Sequence, residues 1–140
     1  MADTKKKLHL EVITPDAAVL NEDVDFIIAR ALDGDLGILP GHAAIIASLD
    51  INPLVYEING KKNTLAVAAG FLEVNGETAT VITSAAEKAG EIDVVRSEHA
   101  KERAEKRLHG KRENIDVERA ELALKRALCR LQVAHNYGGK

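Results

Sequence analysis

Apolar and polar residues alternate through much of the first ninety positions. "LHLEVIT" (8–14) sets Leu8, Leu10 and Val12 against His9 and Glu11. A period of two marks a strand with one face buried. "TPD" follows as a turn. "VDFIIARAL" (24–32) is β-branched and apolar, and it ends at "DGDLG" (33–37), a cluster of turn-forming residues. "HAAIIASL" (42–49), "LVYEI" (54–58), "TLAVAAGFLEV" (64–74) and "ETATVIT" (77–83) are further short runs. "NGKKN" and "VNGE" each hold an Asn-Gly pair, the strongest short hairpin signal, because both residues tolerate positive φ. Short strands with frequent turns predict an antiparallel sandwich or barrel. No helix-length apolar period occurs before about residue 85.

From Asp93 the period lengthens. "DVVRSEHAKERAEKRL" (93–108) is rich in strong helix formers. Asp93 suits the N-cap, where a carboxylate accepts a backbone N–H and meets the positive end of the helix dipole. "HGKREN" interrupts the run, with Gly110 as the stop. "IDVERAELALKRALCRLQVAHN" (115–136) restarts it behind Asp116, and "NYGGK" ends it. The reading is an antiparallel helical hairpin with arms of about 25 Å. The second helix carries the stripe Val117, Ala120, Leu124, Leu128 and Leu131; the first offers Ser97, Ala100, Ala104 and Leu108. Side chains this small bury little area, so the hairpin must lean on something else and suits a switch.

The helical part contains a repeat. "IDVVRSEHAKERAEKRL" (92–108) aligns with "IDVERAELALKRALCRL" (115–131), and ten of the seventeen positions agree. Asp93, Arg96, Arg103 and Arg107 correspond to Asp116, Arg119, Arg126 and Arg130. Helix caps and solvated surface pairs such as Glu102–Lys106 and Glu121–Lys125 are the plain reading. The sharper reading gathers guanidinium groups on an anion, because the planar fork of Arg binds phosphate oxygens bidentately.

Composition narrows the chemistry. A chain of 140 residues fits one domain, or one domain with an appendage, and can bury a core without staples. The lone Cys129 permits no internal disulfide, which suits a reducing compartment. "MADTKKKLHL" has no apolar signal region, and no run approaches a membrane span, so the expectation is a soluble cytoplasmic protein. Net charge is −3, but residues 1–90 hold 7 Lys/Arg against 13 Asp/Glu, and residues 91–140 hold 12 against 9. A nucleic-acid-binding hairpin is one alternative for the basic tail. The small excess of charge and the scarcity of stacking aromatics argue against it. "GDLGILPGH" (34–42) lacks the Gly-Lys-Ser/Thr of a phosphate loop. His42 stands without metal-ligand neighbours, and Ser48 and Ser84 without a nucleophile elbow, so no catalytic residue and no metal site is expected.

Taken in order, "VITPD", "GDLGILPGH", "AAGFLEV", "AAE", "IDVVRS" and "RAELALKRALCRL" make the chain resemble, end to end, the epsilon subunits of bacterial rotary ATP synthases. The resemblance implies a ten-stranded β-sandwich over residues 1–88 and a helical hairpin over 89–140. It implies a non-catalytic place in the central stalk, bound to the gamma subunit and the c-ring, peripheral on the cytoplasmic face of the membrane. It also implies a hairpin that extends toward the alpha and beta subunits to inhibit ATP hydrolysis. In some members the compact form binds ATP as a regulatory ligand; no covalent cofactor is implied. The nucleotide motif is Ile/Leu-Asp-x-x-Arg-Ala, matched by Ile92, Asp93 and Arg96, with Ser97 in place of Ala; "IDVERA" (115–120) fits the wording better, but position in the family places the site on the first copy. Glu87 and Arg103 match further positions, and Arg126 and Arg130 match the arginines near the phosphates. The alternative is the same stalk subunit without useful ATP affinity.

Overall fold

The computed structural model describes residues 6–110 and 115–137. Eight strands come first: β1 (Leu8–Ile13), β2 (Ala18–Val24), β3 (Phe26–Ala31), β4 (Gly34–Ile38), β5 (Ile45–Ile58), β6 (Lys61–Asn75), β7 (Thr78–Ile82) and β8 (Ala86–Lys88). A single 3-10 turn at Ala89–Glu91 leads to α1 (Val94–His109) and α2 (Val117–Tyr137). Residues 111–114 of the expected break between the helices, and residues 138–140 of the terminal "NYGGK", lie outside the described residues.

The strands run in the order β2-β1-β7-β6-β5-β3-β4, with β8 pairing β6 farther along the edge that β7 occupies. All pairs are antiparallel except β1 with β7. β5 and β6 are 14 and 15 residues long, and each serves both layers of the sandwich. Leu49 pairs with Gly70 and Ile51 with Ala68, so Asp50 and Ala69 fall out of the ladder between them. There β6 takes positive φ at Ala69 (64°) and Gly70 (132°), a local bend after which the ladder resumes in the same register. Eight strands therefore stand where the resemblance implied ten, because the two longest pass unbroken through the bend.

Pro53 explains why "HAAIIASL" and "LVYEI" read as two runs. It lies within β5 and pairs with Ala66 of β6, while β3 skips from Val55 to Leu49 on the other side. A proline is tolerated there because no β3 partner needs its missing N–H. "DGDLG" is also not simply a turn. The turn is Leu32-Asp33, and Gly34–Ile38 pairs along β3 as β4. Asn59 and Gly60 both take positive φ (50° and 83°), as the tight β5–β6 hairpin requires.

The core fills the space between the layers. Leu8, Leu10 and Val12 of β1, Ile27 of β3, Leu54 of β5 and Leu65 and Leu72 of β6 are at most 1% exposed. A second, smaller apolar cluster lies where α2 covers β5 and β6. It joins Ile51, Ala66 and Ile92 to Cys129, Val133 and Ala134. α1 packs on α2 rather than on the strands, and its buried residues are Ser97 and Ala104. Ala120 and Leu131 of the predicted α2 stripe are buried, but Leu128 is 46% exposed. The stripe assumed one contact face. α2 has two, one toward α1 and one toward the sandwich, so Ala127, Cys129 and Val133 are buried as well.

Candidate functional site

The junction of sandwich and hairpin gathers the polar residues. β8 pairs with β6 through Ala66 and Glu87, which holds Glu87 at the sheet margin beside the hairpin. The chain then turns at Ala89–Glu91, and Ile92 drops its side chain under α2, 8% exposed. That anchor places Asp93 at the head of α1. The Asp93 carboxylate accepts the Arg96 backbone N–H at 3.0 Å, closing the cap. One turn on, Ser97 is 3% exposed and its Oγ donates to the Asp93 carbonyl at 2.9 Å. The hydroxyl that replaces the motif's methyl is thus satisfied on its own helix, at little cost.

α2 closes the site. Arg130 Nε donates to Glu87 Oε1 at 2.5 Å, both side chains about one-third exposed. A charge-assisted bond of this length ties the helix to the sheet margin. Ala85, Glu87, Asp93, Arg96, Ser97 and Arg130 line an open cleft of about 200 Å³. Arg126, one turn before Arg130, lines a narrow neighbouring slot with Ile51, Ala66 and Cys129. Burial against this apolar wall pushes the Cys129 thiol up to about 11.

Five of the eight predicted residues therefore share one cleft: Glu87, Asp93, Arg96, Ser97 and Arg130. Arg126 adjoins it. Ile92 lies beneath, as a packing residue whose side chain presents nothing to the cleft. Arg103 is exposed on α1 and lines neither space. Ala85 was not named as a site residue, although it opens the "AAE" stretch of the resemblance. The second copy of the repeat caps α2 in the same way, with Arg119 N–H on Asp116 Oδ1 at 3.0 Å. Among the described residues no hydrogen bond or ion pair joins Asp116 to a counterpart of Glu87 or Arg130, and it lines neither space. Among the described residues no three His, Cys, Asp or Glu side chains are grouped as metal ligands would be.

A β-sandwich with a helical hairpin docked on one face, and an acid–arginine cleft at the junction, is the class of protein this arrangement defines. Comparison with known proteins makes it particular. A family model described as "ATP synthase, Delta/Epsilon chain, beta-sandwich domain" matches residues 7–89. A second, "ATP synthase, Delta/Epsilon chain, long alpha-helix domain", matches residues 91–135. An ATP synthase epsilon chain from Nitratidesulfovibrio vulgaris (strain DP4) is 44% identical over 132 residues, covering 94% of this chain and 98% of the relative. One from Desulforamulus reducens is 43% identical over 92% of this chain and 98% of its own length. Among solved structures, a chain of the Euglena gracilis mitochondrial ATP synthase OSCP/F1/c-ring assembly is similar with a TM-score of 0.79. It is 26% identical, and the match covers 96% of this chain and 85% of that one. The chain belongs to the ATP synthase delta/epsilon family, among the bacterial epsilon chains.

Proposed function

We propose that the chain works in the central stalk, between the gamma subunit and the c-ring, and that its hairpin regulates ATP hydrolysis. The sandwich, through residue 88, is the part fixed in the stalk; the hairpin, from residue 89, is the part that moves. The subunit itself catalyses nothing. It sits peripherally at the cytoplasmic face of the membrane; no helix among the described residues is long and apolar enough to cross one. In the extended state the hairpin meets the alpha and beta subunits, and in the compact state it binds ATP.

The cleft carries this reading. It collects an acid, a capped helix start and arginines from three separate elements, and it exists only while α2 is docked. Asp93 and Arg96 hold the nucleoside end. Arg130 and Arg126 take the phosphates, with Arg103 approaching from α1. Ser97 shapes the floor, Ile92 supports it from beneath by packing under α2, and Glu87 orients Arg130. A ligand that binds only the docked form stabilises it by RT ln(1 + [L]/Kd), and it shifts the hairpin by no more than that difference.

A second reading keeps the same subunit without useful ATP affinity. The observation favouring it is that Arg130 is already partnered by Glu87. Calorimetric titration of the full chain with ATP separates the two. We expect saturable binding, weakened about tenfold or more in Asp93→Ala, Arg126→Ala and Arg130→Ala, each loss reflecting a charge-assisted contact of about 1.5–3 kcal/mol. The sandwich should stay folded in all three. No heat at millimolar ATP removes the ATP-binding part and leaves the stalk role untouched.

A further inference from the structure

α2 rests on the sandwich through a small apolar strip. Its buried members are Ile51, Ala66, Ile92, Cys129, Val133 and Ala134, three of them alanine or cysteine. Little area is removed from water, so polar contacts at the border weigh heavily in whether α2 stays docked. Among the described residues, two ion pairs cross that border. One is Arg130 with Glu87. The other joins Lys125 Nζ to Asp50 Oδ1 at 3.4 Å. Five residues apart on the helix, Lys125 and Arg130 stand about 140° around its axis and flank the strip between them.

Asp50 is prepared for this contact. It sits at the bend of β5, where the ladder lapses opposite Ala69. The register of β5 against β3 also shifts between Leu49 and Val55, and irregularities of that kind re-aim side chains. Its Oδ1 also accepts the Ile51 N–H at 2.8 Å, so the carboxylate is fixed before the lysine arrives. Ordering one flexible partner costs less than ordering two.

We propose that Asp50 and Lys125 form a ligand-independent latch that keeps the hairpin docked on the sandwich. The two pairs divide the work. An anion that drew Arg130 away from Glu87 would free one flank of α2, and Lys125 would still hold the other. That division rests on the ATP reading above; the latch does not.

Cys129 supplies the measurement. It is the chain's one cysteine and is 6% exposed within the strip, so alkylation reports undocking. With reclosing faster than alkylation, the labelling rate follows the undocked population. At low salt the full chain carrying Lys125→Met should label about two- to five-fold faster than wild type, the range for a partly exposed pair. Methionine keeps helix propensity, and Lys125→Arg, which keeps the charge, should label at the wild-type rate. Rising salt should speed wild type more than Lys125→Met, because only wild type has this pair to screen. Equal rates in wild type and Lys125→Met, or equal salt responses, overturn the latch. Millimolar ATP provides the separate arm. If it slows labelling in both proteins, the ATP reading gains support; if it changes neither while Lys125→Met remains faster, the ATP reading fails and the latch stands.

Discussion

Asp93 and Asp116 show how one residue type can carry two meanings. Both cap a helix by accepting a backbone N–H at 3.0 Å. Each cap is worth about 1 kcal/mol, and that alone accounts for an Asp at the head of each helix. Only Asp93 also borders Glu87 and Arg130. Ser97 belongs to the same scale: its hydroxyl proton is given to the helix, so its departure from the motif brings no free donor to the cleft it lines. Cys129 gives the residue scale its pH prediction. Its folded pKa stands near 11, above the ordinary thiol value of 9.0, because burial opposes the thiolate. Stability from the neutral thiol is complete below pH 9 and is lost as pH rises from 9 through 11. The loss is on the order of 2 kcal/mol. Urea melts of wild type across this range should fall more steeply than those of Cys129→Ala, whose difference from wild type isolates the thiol.

At the scale of elements, the bend of β5 and β6 decides most of the architecture. Gly70 stands at that bend with φ of 132°, and a Cβ there would meet the Ile82 carbonyl oxygen at 2.0 Å. The contact is with backbone, so no rotamer change relieves it. Gly70→Ala should destabilise the fold by about 3 kcal/mol or more, read as a lowered urea midpoint. The strand runs before and after the bend were legible, because alternation survives on each side. Their continuity was not: Pro53 and the unpaired Asp50 look like breaks in a one-dimensional pattern. β8 was missed as a strand because three residues carry no period. The helices were plainer, since caps at Asp93 and Asp116 and the stop at Gly110 are local chemistry. Which face of α2 is buried was only half legible. A stripe counts neighbours on one side, and this helix touches both α1 and the sandwich.

For the whole molecule, the question is how firmly the two parts are joined. Ile92 is the central test, because it belongs to the connection yet packs under α2. Ile92→Ala should cost the docked state about 2–4 kcal/mol, the usual loss for a buried aliphatic truncated to alanine. Cys129 labelling should then rise well over tenfold while the strand signal in circular dichroism persists. Loss of both together would mean that sandwich and hairpin unfold as one unit. The cleft depends on the same docking. Glu87 and Asp93 lie close along the chain, but Arg130 is 43 positions beyond Glu87, and only the docking of α2 brings it within reach.

The sequence by itself determined the strands' alternation, the turns at Asn-Gly, the two capped helices and the repeat of acid and arginines. Each of these is set by interactions between residues close along the chain. Its end-to-end likeness to a family supplied the identity and the expected site. Tertiary structure alone decided that β5 and β6 run through both layers, and that α2 is clasped by Glu87 on one flank and Asp50 on the other. Those outcomes depend on contacts between residues tens of positions apart, where packing and register, rather than local pattern, determine which side chains meet.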